Sequence, residues 1–459
     1  MEFVHQLHAT GDTIAAIATP PGEGAVAIIR LSGKDALSIA EKVLSEKIKS
    51  YPSHTAHLGK MKTLEGEIID EVLIIAMHSP RSYTGEDIVE IQCHGGTLLA
   101  KRALTAVLSA GARPAAAGEF TLRAFLNGKL DLAQAEAVQN LICAKNELAL
   151  KAANDHLEGA LSKRVKNFQI SLTDLGAVLE AWVDFPEEGL EFMSFEELLL
   201  SLEKIEAQMQ KLLSTFEEGK MMHEGFSLCL IGTPNVGKSS LMNLLLGKER
   251  AIVTDIPGTT RDFLEEDFQF ADLHFRLIDT AGLRESSEEI EQEGIRRSKI
   301  AMERADLILL VLDASRDLNS EESALLQGLY QHKMLIVWNK IDLIPHSPLP
   351  HLENLPQCYV SAKEGLGIEE LKNALRRLIW KKGAPSKEEL VIASLRHKKA
   401  LEDALLNVRR VASGLKEKIS PEYLTIDLKK ALSDLGTIIG TNVTEDILSA
   451  IFSKFCVGK

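Results

Sequence analysis

One stretch constrains the fold more than any other. Residues 226–247, FSLCLIGTPNVGKSSLMNLLLG, set an apolar run before Gly232-x4-Gly237-Lys238-Ser239 and a helical run after it. Such a segment works as strand, tight loop and helix. Glycines let backbone N–H groups face phosphate oxygens, and the following helix N-terminus favours negative charge. Lys238 then contacts the β- and γ-phosphates and the Ser239 hydroxyl ligates Mg2+. A sheet with helices is required around it, and residues 221–383 carry that pattern: short β-branched strands alternating with helical stretches.

Three further elements follow in order. HFRLIDTAGLR ends a strand on Asp279, placed to hold the metal through water, with Gly282 able to bond a γ-phosphate through its backbone. LIVWNKID brings Asn339-Lys340-x-Asp342 to a strand end, where the Asp342 carboxylate accepts from N1–H and N2–H2 of guanine. Adenine offers neither donor, so an ATP site is excluded. YVSAK adds Ser361, Ala362 and Lys363 as a brace for the base. With a switch loop over 254–260, the residues expected at the GTP site are Asn235, Val236, Gly237, Lys238, Ser239 and Ser240; Thr254, Asp255, Ile256, Pro257, Gly258, Thr259 and Thr260; Asp279, Thr280, Ala281 and Gly282; Asn339, Lys340, Ile341 and Asp342; and Ser361, Ala362 and Lys363.

Leu283 stands where Ras-like proteins place a glutamine that orients the attacking water, so another group must orient it here. AIVTDIPGTTRD, residues 251–262, is the candidate switch loop, with Thr260 the expected Mg2+ ligand. Asn235 admits two readings. With carbonyls of the 254–259 loop it would hold a monovalent cation; alternatively it serves only the turn chemistry of Pro234-Asn235.

At 459 residues the chain exceeds one ordinary core, and two to four domains are expected. Residues 1–127 mix strand and turn signals in TIAAIATPPGEGAVAIIRLSG, IIDEVLIIAMHSP and EDIVEIQCHGG. Residues 128–220 turn to Ala, Leu, Glu and Lys with apolar residues at helical spacing, which predicts long amphipathic helices. Helical composition returns over 384–459, so the α/β block reads as an insertion into one helical domain. Cys93, Cys143, Cys229, Cys358 and Cys456 are scattered, which favours a reducing cytoplasm over disulfides or a cysteine zinc site. The opening MEFVHQLHATGDT has neither basic leader nor apolar core, and no stretch reaches spanning length, so no membrane association is expected. A net charge of −14 argues against a general nucleic-acid coat. The basic runs LRHKK, VRR and LKK after residue 394 are either solvated helix faces or a local RNA contact.

The end, FCVGK, is open to three readings: a frayed terminus, a poor prenylation box, or a tail carried into a binding site. Before it, Asn442 reads as an N-cap with Glu445 three residues on, and Ile447, Leu448, Ile451 and Phe455 share one helical face.

GTPNVGKSS, TDIPGTTRD, DTAGLRE, the flanking helical segments and FCVGK together resemble the MnmE (TrmE) family of tRNA-modification GTPases. ATPPGEGAVAIIRLSG, YTGEDIVEIQCHGG and GEFTLRAFLNGKLDLAQAEA extend the resemblance over essentially the whole chain. It implies an α/β P-loop GTPase domain (221–383) inserted into an all-α helical domain (128–220 and 384–459). An N-terminal α/β domain (1–127) would bind tetrahydrofolate and dimerise. It further implies a cytoplasmic, K+-dependent GTP hydrolase acting with an FAD-containing partner, MnmG, as a heterotetramer. That assembly would add a carboxymethylaminomethyl or aminomethyl group to C5 of the wobble uridine of certain tRNAs, with carbon from a tetrahydrofolate derivative.

Residue by residue, the family's K+ positions fall on Asn235, Thr254, Ile256 and Thr259, and its Mg2+ ligands on Ser239 and Thr260. Its water-orienting glutamate falls on Glu291, and its folate contacts on Arg30, Glu90, Lys129 and Lys459. Pro257 is a local difference that fixes φ in the switch loop. In this setting the tail would reach the folate pocket in a dimer, and Cys456 is either a nucleophile, for example toward uridine C6, or a packing residue. A rival reading is a regulatory RNA-binding GTPase in ribosome assembly; no KH-like GxxG segment follows the GTPase block to favour it.

Overall fold

The computed structural model describes residues 11–184, 193–248, 266–271, 273–278, 302, 304–344, 349–380 and 390–459. They pack as two compact units. One draws on residues 1–142, 154–209 and 399–459, the other on 143–153 and 210–398.

The first unit opens with a sheet of β1 (Ile14–Ile17), β2 (Val26–Ser32), β3 (Thr55–Lys62), β4 (Ile68–Met77), β5 (Ile88–His94) and β6 (Arg113–Pro114). The strand order is β3-β4-β5-β2-β1-β6, antiparallel except for the β1–β6 pair. Two-residue alternation decides which side chains enter the core. Ile29 and Leu31 of β2 turn inward with Ile74, Ile91 and Val107, under the helices Ala36–Val43 and Thr97–Ser109. Arg30, between them in sequence, must therefore face the other way, and the register sets it directly opposite Glu90.

Helices follow in the same unit. The sequence reading runs long helices through residues 135–168. The structure instead divides this stretch into Leu132–Cys143, Glu147–Leu157 and Ala160–Asp184. Asn146 causes the first break by capping: its Oδ1 accepts from Ala149 N at 2.8 Å. Gly159 makes the second, at φ 86°. The Ala160–Asp184 helix lies along Pro421–Ile439, where Gly176 leaves room for Leu428. The last helix, Glu445–Phe452, begins after Thr444 rather than Asn442, and the Thr444 side chain makes no capping bond. Asn442 has another partner, since its Nδ2 reaches Ser433 Oγ at 3.5 Å. Leu448, Phe452 and Phe455 are buried against Leu122, Leu132 and Val138.

Basic side chains on the helices of this unit, one from VRR and one from LKK among them, pair with acids. Arg409 pairs with Glu206 at 2.7 Å, Lys416 with Glu203 at 2.9 Å and Lys429 with Glu180 at 2.9 Å.

The second unit is built on β7 (Phe226–Ile231), β8 (Glu266–Phe270), β9 (Leu273–Leu277), β10 (Leu307–Asp313), β11 (Met334–Asn339) and β12 (Gln357–Tyr359). Their order is β12-β11-β10-β7-β9-β8, parallel except for the β8–β9 hairpin. Every residue of LILLVLD in β10 and MLIVWN in β11 is buried. Central parallel strands are covered on both faces, which is why these runs are continuously apolar rather than alternating. The carboxyl ends of β7, β10 and β11 carry the polar residues described next. No helix among the described residues is long and apolar enough to cross a membrane.

Candidate functional site

β7 ends at Ile231, the loop 232–237 turns, and the helix Lys238–Lys248 begins. The loop's shape selects its residues. Asn235 sits at φ 65°, a left-handed conformation that Asn tolerates better than most side chains. Gly237 is at φ 97°, and a Cβ there would stand 2.2 Å from Asn339 Nδ2. Only glycine lets β11 come this close.

Lys238 Nζ donates to the carbonyls of Gly232 at 2.7 Å and Thr233 at 2.9 Å. Burial holds the amine below its ordinary pKa. A phosphate anion in the loop would compete with those carbonyls for the charge and restore its compensation. Ser239 and Ser240 lie exposed in the first helical turn.

Asn339 is nearly inaccessible, and both ends of its amide are used. Nδ2 donates to Val236 O at 2.8 Å and Oδ1 accepts from Ala362 N at 2.9 Å. The phosphate loop and the Ser361–Lys363 brace are thus tied to one side chain. Lys340 is at φ 67° and extends Nζ to Asp313 Oδ2 at 2.7 Å. Burial raises the Asp313 carboxyl's pKa, but Lys340 and the Ser315 hydroxyl and N–H more than offset it and keep it below the ordinary range. Ile341 and Asp342 follow on a single 3-10 turn. Ser361 is fully buried and its Oγ accepts from Glu364 N at 3.1 Å. Lys363 is exposed. Thr254, Asp255, Ile256, Pro257, Gly258, Thr259, Thr260, Asp279, Thr280, Ala281, Gly282, Leu283 and Glu291 lie outside the described residues.

Of the cation positions, Ser239 and Asn235 are described. Both are exposed oxygen-bearing side chains on or beside the phosphate loop, a chemistry suited to hard cations such as Mg2+ or K+.

A second polar cluster lies in the other unit. Arg30 Nε and Nη2 both reach Glu90 Oε1 at 2.8 Å, and the guanidinium stands 5.8 Å from the centre of the Phe120 ring. Arg30 Nη1 donates to Gly458 O at 3.1 Å, across 428 residues of sequence. The FCVGK tail is therefore docked beside Arg30 and Glu90 of its own chain. Val457 bridges Ala117, and Gly118 N donates to Cys456 O at 3.4 Å. Gly458, at φ 100°, lies against Ile17. Burial and then Arg30 hold the Lys459 amine below its ordinary pKa, with Glu90 opposing. The cluster thus unites Arg30, Glu90 and Lys459. Lys129 is held elsewhere, with Nζ donating to Pro80 O at 3.1 Å. Cys456 is exposed.

Sequence reasoning missed Asp313, Thr233 and Glu322. The box Asn319-x-x-Glu322 signals a helix start, but nothing local pairs Glu322 with a loop 89 residues away.

A Gly232-x4-Gly237-Lys238-Ser239 loop between strand and helix, with Asn339-Lys340-x-Asp342 and Ser361–Lys363 beyond neighbouring strands of one mostly parallel sheet, is the arrangement of a P-loop GTPase. The model described as "MnmE helical domain" matches residues 132–456, and that described as "GTP-binding protein TrmE N-terminus" matches 13–129. The tRNA modification GTPase MnmE of Protochlamydia amoebophila (strain UWE25) is 58% identical over 459 residues, covering 100% of both chains. Proteins of the same name from Chlamydia pneumoniae and Moorella thermoacetica (strain ATCC 39073 / JCM 9320) are each 45% identical, covering 98% of this chain and 99% of the relative. The chain belongs to the MnmE family of tRNA modification GTPases.

Proposed function

We propose that this chain is the GTP-hydrolysing component of a cytoplasmic complex that modifies C5 of the wobble uridine in certain tRNAs. In this reading it works as a homodimer with an FAD-containing subunit, MnmG, in a heterotetramer. The product is a carboxymethylaminomethyl or aminomethyl group whose carbon comes from a tetrahydrofolate derivative. The observation that carries the reading is the pairing of Arg30 with both Glu90 and the chain's own Gly458. A second polar cluster on which the C-terminal tail docks, in the unit without the nucleotide residues, supports this reading over a regulatory GTPase. Pterin donors need a carboxylate, which Glu90 supplies, and the glutamate tail of a folate needs cations, available in Arg30 and Lys459.

At the nucleotide, Lys238 takes the β- and γ-phosphates, Asp342 reads guanine, and Ser239 with Thr260 holds Mg2+. Glu291 orients water in place of the glutamine that Leu283 displaces. Asn235, Thr254, Ile256 and Thr259 would hold K+, which supplies positive charge beside the phosphates. Cys456 is assigned no chemical step.

GTP hydrolysis measured in K+ and in Na+ at equal ionic strength tests the nucleotide half. Faster turnover in K+, with the difference abolished by Asn235→Ala, is expected. Equal rates in both salts contradict it. Should a strain lacking the chain keep its wobble modification while ribosome assembly fails, the ribosome-assembly reading replaces this one.

A further inference from the structure

Glu322 is 1% exposed, and a carboxylate so buried demands an account. Four donors surround it. Arg316 Nη2 and Thr233 Oγ1 each reach Oε1 at 2.7 Å, while Arg316 Nη1 and Asn319 N reach Oε2 at 3.0 Å. Burial raises its pKa, but Arg316, Asn319 and Thr233 outweigh it and hold the carboxyl below its ordinary range. The group keeps its charge.

Helix capping explains part of this arrangement. Asn319 Oδ1 accepts from Glu322 N at 2.8 Å, and with the return bond to Asn319 N the capping box of helix Ser320–Leu329 is complete. Thr233 has no part in the box. It belongs to the phosphate loop, 89 residues away, and it is 6% exposed.

We propose that Thr233 and Glu322 form a positioning pair that sets the phosphate loop for GTP hydrolysis. Asn339 pins the loop at Val236 and Glu322 pins it at Thr233, so only Pro234 and Asn235 lie between two fixed points. Pro234 has a ring-locked φ, and Asn235 is held left-handed at φ 65°. Thr233 also presents its carbonyl to Lys238 Nζ at 2.9 Å. Releasing its hydroxyl lets both Asn235 and the lysine's partner shift. The base end, held by Asn339 and Asp342, is untouched. The pair therefore acts on the reacting end of the nucleotide and little on guanine.

The test uses the full chain with Thr233→Val, Thr233→Ser and Glu322→Gln. Thr233→Val is the decisive variant, because it removes the hydroxyl that donates to Glu322 Oε1 and accepts from Arg316 Nη2 at 3.5 Å, and leaves the capping box and the Arg316–Glu322 pair in place. Its kcat should fall about tenfold, a modest fraction of what loop misplacement can cost. GDP affinity should stay within about threefold of the parent, and Tm should fall by no more than about 5 °C. Thr233→Ser, which restores the donor, should recover at least about half of kcat. The proposal is overturned if Thr233→Val keeps kcat within about twofold of the parent, or if serine rescues no better than valine. A Tm loss in Glu322→Gln alone, with full activity in Thr233→Val, reduces Glu322 to a helix cap and overturns it equally.

Discussion

Asn339 donates its side-chain N–H to the carbonyl oxygen of Val236 at 2.8 Å, across 103 residues of sequence. The same amide accepts from Ala362 N. One buried side chain therefore ties the 232–237 loop to the loop at Ser361–Lys363.

Replacing Asn339 by alanine leaves a buried carbonyl and a buried N–H unpaired. Each orphaned group costs about 1–3 kcal/mol. GDP affinity should fall by at least about tenfold and Tm should drop with it. Titration of a fluorescent GDP analogue checks this. An affinity unchanged within about twofold would remove Asn339 from its bridging role.

Gly458 is at φ 100°, and a Cβ there would stand 2.5 Å from the Ile17 carbonyl oxygen. Gly458→Ala must therefore displace the tail from Arg30. GTP hydrolysis should remain within about twofold, because the nucleotide residues lie in the other compact unit. Affinity for 5-formyl-tetrahydrofolate, measured by isothermal titration, should fall about tenfold, as it should for Arg30→Ala and Glu90→Ala. Parent-like affinity in all three variants argues against a folate pocket at this cluster.

Asp267 on β8 gives a pH dependence with a definite sign. The His274 imidazole, 3.4 Å away, lowers its pKa; burial opposes, and Lys145 adds to the lowering. A carboxyl depressed in the folded state stabilises above its unfolded pKa, near 4, and loses that contribution as pH falls toward the folded value. The side chain is a third exposed, so screening limits the gain to about 1 kcal/mol. Asp267→Asn should lower Tm at pH 7, and the gap to the parent should close as pH falls below about 4. A gap constant from pH 7 to pH 3 would rule out the ion pairs as its source.

The parts legible in the sequence are those in which chemistry and local geometry coincide. Gly237 and Asn235 could be read because a phosphate loop needs residues that accept positive φ. β10 and β11 could be read because buried parallel strands are continuously apolar. β3, TAHLGKMK, has one face exposed and carries too few β-branched residues to announce itself. The start of the last helix is not legible to the residue, since Asn442 and Thr444 are both good capping residues two apart, and in the fold Asn442 reaches Ser433 while the helix begins after Thr444. Thr233 with Glu322, and Arg30 with Gly458, are pairs distant in sequence whose meeting depends on the assembled sheets.

The central claim is that the Arg30–Glu90 cluster and its docked tail serve modification of a tRNA, while the phosphate loop serves GTP. Mass spectrometry of tRNA nucleosides tests it most directly, in a strain lacking this chain complemented by the parent or by a form ending at Phe455. The account predicts that the modified wobble uridine is absent from the strain, returns with the parent and does not return with the truncated form, although the truncated protein still hydrolyses GTP. Full modification by the truncated form, or in the strain lacking the chain, would contradict it.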